Sequence, residues 1–192
     1  MNIKKIFENK LTYLVIGALI TGIITYFCNI RLIEKEHFYK MQSDKQNFVS
    51  GLSEMLQKRI YNEEVFLWNI KNDTRENTIL DSWERYKEIT LVWNEQLSNF
   101  YLKLDMYFPP SKFTVKDYSN YLKHNISFRD FLQKEIQLVF IPIHGQLVEL
   151  KKIINKGEKP NQELVIDLEK NTEKLHAKIV NYSEALYNTL KD

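Results

Sequence analysis

Two Glu-x-x-His motifs carry the sharpest chemical signal in the chain: Glu34-Lys35-Glu36-His37 and Glu173-Lys174-Leu175-His176. On a helix, residues three apart lie on one face, so a carboxylate and an imidazole at that spacing can reach one metal ion. Helical di-iron and di-manganese carboxylate proteins use two such motifs on different helices, with a Glu from each of two further helices. The remaining ligands are not legible here. The apolar stripe between Ile79 and Tyr107 carries no carboxylate, and Glu135 and Glu149 stand beside apolar positions instead of on their stripe. Glu173 and His176 likewise flank the apolar stripe of their own helix. Glu34, His37, Glu173 and His176 are therefore the metal candidates that the sequence offers, while the expectation is a chain with no metal and no cofactor.

Other chemistry is thinly represented. There is no phosphate-cradling glycine loop, no His-Glu-x-x-His zinc motif and no G-x-S-x-G nucleophile elbow, and a non-enzymatic role is expected. The single cysteine, Cys28, lies in an apolar run and forms no intramolecular disulfide or thiolate zinc site. Pro142 falls inside an apolar helical pattern with His144 and Gly145 just behind it, where a bend could open a pocket.

The elements that must position these residues begin with a membrane anchor. Between Lys10 and Arg31 stand twenty residues without a charge, a helix of roughly 30 Å that matches the hydrocarbon core of a bilayer. Thr25-Tyr26-Phe27-Cys28-Asn29 offers bulky rings where a signal peptidase site needs small residues, so the segment reads as an uncleaved signal-anchor. The expected organisation is a short basic tail over 1–10, a transmembrane helix over 11–30 and a soluble domain over 31–192. Lysines 4, 5 and 10 before the span are nearly balanced by Arg31, Lys35, Lys40 and Lys45 behind it. The short tail tips the expected topology towards a bacterial inner-membrane protein with its C-terminal domain outside the cytoplasm. Within the span, Gly17, Ala18, Thr21, Gly22 and Thr25 share a face of small residues, a candidate surface for helix association.

The chain holds 27 basic and 25 acidic residues, and the tail accounts for Lys4, Lys5, Lys10 and Glu8. Residues 31–192 are thus formally neutral and without a basic cluster, which argues against nucleic-acid binding. With five Gly and four Pro, long periodic runs dominate and the fold class is all-α.

Ile79, Trp83, Tyr86, Thr90, Trp93, Leu97, Phe100, Leu104 and Tyr107 alternate spacings of four and three, the buried face of one long helix with Thr90 as its only polar member. Rings of that size suit the interior of several helices better than a two-stranded coiled coil. Pro109-Pro110 should end this helix. Before it, a helix should run from the membrane to about Ile70 with Phe38, Met41, Phe48, Leu52, Met55, Leu56, Ile60 and Leu67 on its apolar side. Asp73 should cap the next helix, and Thr114 with Asp117 should cap a third, stapled by Phe113 and Tyr118. Ser127-Phe128-Arg129-Asp130 suggests a restart near Asn125, Lys156-Gly157 marks a helix end, and Pro160 precedes a last helix with Leu164, Leu168, Leu175, Ile179, Tyr182, Leu186 and Leu190 inside.

The whole reads as one transmembrane helix followed by an antiparallel up-down-up-down bundle of about four long helices. The expected role is contact with an unidentified protein partner or self-association at the bilayer, as scaffold, accessory subunit or partner-binding domain. A ligand-sensing bundle with a pocket near Pro142 and His144 is the first alternative, and a ferritin-like di-metal enzyme is the second.

Overall fold

The structure is a computed structural model that describes residues 3–72, 75–110 and 126–191, with side chains from Leu14 onward. Among the described residues it is all-helical, with four long helices. These are α1 (Ile3–Lys71), α2 (Glu76–Tyr107), α4 (Leu138–Asn155) and α5 (Gln162–Asn188), and a short α3 (Phe128–Phe131) runs into α4 through the π-helical stretch Leu132–Gln137. Two compact units divide the chain: Met1–Asp44 and Lys45–Asp192.

The first unit belongs to α1. Its apolar run is long and apolar enough to cross a membrane, and none of that window is buried. Phe38 and Met41, expected on a buried face, are half-exposed here because this unit brings no second helix against them.

The second unit has one core, and the long stripe of α2 supplies its centre. Ile79, Trp83, Tyr86, Thr90, Trp93, Phe100 and Leu104 are buried, and Leu97 and Tyr107 pack at its edge. The rings meet in tilted pairs, such as Phe66 with Trp83 at 5.2 Å and Trp93 with Phe100 at 5.5 Å, the offset geometry that aromatic quadrupoles favour. From α1 come Phe48, Leu52, Leu56, Ile60, Phe66 and Leu67, and from α5 Leu168, Leu175, Ile179, Tyr182 and Leu186.

Helix ends follow local chemistry. α2 stops at Tyr107, two residues before Pro109-Pro110, and the Phe108 amide closes it on the Leu104 carbonyl. Its N-cap is Arg75, without a side-chain cap bond, and not Asp73, which lies outside the described residues. Phe113, Thr114, Asp117, Tyr118 and Asn125 also lie outside them. Ser127 caps α3 as its sequence suggests, accepting from the Asp130 amide at 3.0 Å while its hydroxyl donates to the Asp130 carboxylate at 2.9 Å. α4 closes through Gly157 at φ +72°, with the Glu158 amide on the Ile153 carbonyl and the Gly157 amide on that of Ile154. This paired closure needs a left-handed residue, which glycine adopts without strain. Asn161, directly after Pro160, caps α5 by accepting from the Glu163 amide.

Candidate functional site

Three charged residues interrupt the buried side of α1 inside the second unit, Lys45 at its edge and Arg59 and Glu63 at its centre. Arg59 and Glu63 continue the spacing Leu52, Leu56, Arg59, Glu63, Phe66, Ile70, so the helix carries them into the core with its apolar side chains. Arg59 is 2% exposed and Glu63 0%. Charged groups at such depth need partners, since burial of an unpaired charge costs several kcal/mol.

Arg59 finds aromatic faces and an amide. Its guanidinium carbon lies 3.7 Å from the Phe140 ring centroid and 5.5 Å from that of Trp93. Its Nη1 approaches Gln137 Oε1 at 3.5 Å, and the same oxygen accepts from Trp93 Nε1 at 2.8 Å. Ring quadrupoles thus replace much of the hydration that the cation gives up. Gln137 reaches this point as the last residue of the π-helical stretch, where buried Leu132, Ile136 and Phe140 recur every four residues. Such a stretch carries one extra residue per turn, and it commonly marks a functional position in a helix.

Glu63 meets Thr172 of α5, whose hydroxyl donates to Oε1 at 2.7 Å, while Oε2 has no partner among the described residues. Burial raises this carboxyl from its ordinary 4.5 to about 7, against the Thr172 hydrogen bond and the Arg59 charge, which both favour the ionised form. On the α2 side, Tyr86 Oη lies 2.8 Å from Nδ1 of His144. Burial pushes the Tyr86 phenol up and the His144 imidazole down, so at neutral pH the first is protonated and the second uncharged. The tautomer of the neutral imidazole then sets which of the two donates. Buried Arg59 Nε and the Thr90 hydroxyl also have no partner within hydrogen-bond geometry among the described residues, although both side chains stand against the Tyr86 phenol and favour its ionised form. Four helical elements thus meet around a polar centre that holds three buried polar atoms without a hydrogen bond.

Two grooves flank α5. The larger, about 420 Å³ between α4 and α5, has an apolar floor of Leu138, Val139, Pro142, Ile143 and Leu175. Gln146, Asn171, Lys174 and Lys178 complete it. The smaller, about 170 Å³ on the α1 side, is lined by Glu64, Leu67, Trp68, Glu169, Thr172 and Glu173.

The sequence candidates scatter over these features. Pro142 lines the larger groove, His144 turns to Tyr86 instead, and Gly145 is exposed. Glu173 lines the smaller groove, and His176 Nδ1 meets Glu64 Oε1 at 2.7 Å. Glu34 and His37 are exposed in the first unit. Among the described residues no group of three or more His, Cys, Asp or Glu is arranged to hold a metal ion. In the apolar run, Thr21 donates back to the Gly17 carbonyl at 2.8 Å, and a side chain added at Gly17 or Gly22 would meet open space. Ala18 and Thr25 are exposed as well.

Arg59, Glu63, Gln137 and Thr172 are absent from the sequence candidates. The signal for the first two was present as charged residues at buried-face spacing on α1. Gln137 had none, because its inward position depends on the π-helical turn. No protein-family model, curated protein or solved structure matches this chain.

Proposed function

We propose that the protein is a single-pass, membrane-anchored bundle of four helices, up-down-up-down, that works through protein contacts at the bilayer. It would serve as a scaffold, an accessory subunit or a partner-binding domain. The apolar run within residues 11–30 of α1 is the anchor in this reading, set in a bacterial inner membrane, with residues 31–192 outside the cytoplasm.

The observation that carries the reading is a stripe of large apolar side chains on the outer face of α2. Leu91, Leu102 and Met106 are 54%, 69% and 65% exposed. At 100° per residue they share one face, opposite Trp93, Phe100 and Leu104. Single exposed apolar residues are ordinary, but Leu102 and Met106, one turn apart, offer a partner an apolar patch, and Leu91 lies on the same face three turns earlier, beyond exposed Glu95 and Ser98. The test is a photo-crosslinking residue at position 102 of the full-length protein in membranes, with position 167, exposed on α5, as control. One discrete heavier species from position 102 alone is expected. Equal or absent crosslinking at both positions would contradict the reading.

The polar centre favours a second reading as a ligand-sensing bundle. Its unpaired Glu63 Oε2, Arg59 Nε and Thr90 Oγ1 give a small polar ligand or ordered water something to satisfy.

A further inference from the structure

The groove between α4 and α5 combines an apolar floor with charge of one sign. Leu138, Pro142, Ile143 and Leu175 form the floor, and the only ionisable residues that line it are Lys174 and Lys178. The smaller groove on the other flank of α5 is lined by Glu64, Glu169 and Glu173, of which Glu169 pairs with Lys71 and Glu64 with His176, leaving Glu173 as its carboxylate without an ion pair among the described residues. In a domain with equal numbers of acidic and basic residues, the α4–α5 groove is the one of the two whose lining favours an anion.

The two lysines are not equivalent. Lys178 is held by Glu135 at 2.7 Å, whereas Lys174 forms no ion pair among the described residues. Leu138, at the groove, is 55% exposed, so its side chain is available to an apolar ligand. Pro142 has no amide proton, and the carbonyl one turn before it on this wall loses its usual helical donor. At about 420 Å³ the groove falls within the size range of small-molecule sites, and it is mostly apolar with few polar groups, as such sites are.

We propose that this groove binds a single-chain aliphatic carboxylate, with the alkyl tail along Pro142, Ile143 and Leu175 and the head group on Lys174. The tail buries apolar surface that α4 and α5 leave open, and the carboxylate gains a charge-assisted hydrogen bond from a cation that has no ion-pair partner among the described residues. The inference is independent of the partner-binding reading, because it involves α4 and α5 and not the exposed stripe of α2.

The test uses full-length protein in phosphatidylcholine nanodiscs with a diazirine-bearing palmitate, and adducts are mapped by peptide mass spectrometry. The matching diazirine-bearing fatty alcohol is the control for head-group charge. Expected are palmitate adducts on 138–146 and 171–178, with labelling about tenfold lower for the alcohol and for Lys174→Glu, as loss of one charge-assisted hydrogen bond implies. Leu138→Trp, a substitution at an exposed position, should block labelling while circular dichroism stays unchanged. Adducts confined to residues 11–30, or groove adducts indifferent to head group and to Lys174→Glu, would overturn the proposal. So would a protein seated at position 138 in crosslinking, which would make the groove a helix-docking surface.

Discussion

Glu63 lies on the buried side of α1 with one oxygen held by Thr172 and the other unpaired, and its carboxyl titrates near 7 because water is excluded. The linkage sign is fixed by that direction. The folded state holds its proton up to about pH 7, whereas the unfolded chain releases it near 4.5. The folded state therefore binds more protons between those values, and stability falls as pH rises through the window. The full effect is about 3 kcal/mol, reached above pH 7. Glu63→Gln keeps an acceptor for Thr172 and removes the charge, so it should match the native protein near pH 4.5 and exceed it by up to that amount at pH 8. Thermal unfolding of both proteins in detergent across this range checks the point, and parallel profiles would place Glu63 in water. At this scale the sequence was half legible. Spacing alone puts Arg59 and Glu63 on the buried side, but nothing local says that Phe140, Trp93 and Gln137 will receive the guanidinium. Those partners come from other helices, and contacts between distant segments leave no periodic trace.

Among the elements, α2 was the most readable, since a nine-position stripe and a diproline stop leave little freedom. The break after α1 and the Ser127 and Gly157 signals were also legible, because capping is decided within a few residues. The π-helical stretch was not. Its extra residue follows from fitting Leu132, Ile136 and Phe140 into one core while Gln137 faces Trp93, and that is a tertiary demand. The stretch predicts an asymmetric response to deletion. Removing Lys134, exposed within it and held only by a long 3.8 Å pair to Asp130, should restore regular α-helix with the register kept on both sides. The expected cost is about 1 kcal/mol or less. Removing Asn94, equally exposed in α2, turns Phe100 and Leu104 about 100° away from the core and should abolish cooperative unfolding. Equal losses in the two deletions would mean that the π-helical stretch is not an insertion. Melting curves followed by circular dichroism distinguish the outcomes.

At the scale of the whole molecule, the sequence displays an apolar run suited to a bilayer and a helical domain of formally balanced charge. The structure adds exposed apolar side chains on the outer face of α2 and a polar centre between helices, neither of which involves the two Glu-x-x-His motifs as a pair. Protein contact at a membrane follows as the proposed role, and it stands or falls on whether a partner exists. Affinity purification of the full-length protein in mild detergent, with quantitative mass spectrometry and metal analysis of the same eluate, asks this directly. The account predicts one protein, or a second copy of this chain, in near-stoichiometric amount, retained by the native protein and lost with Leu102→Glu. Recovery of a partnerless monomer carrying about two iron or manganese ions per chain would contradict it and return the role to Glu34, His37, Glu173 and His176.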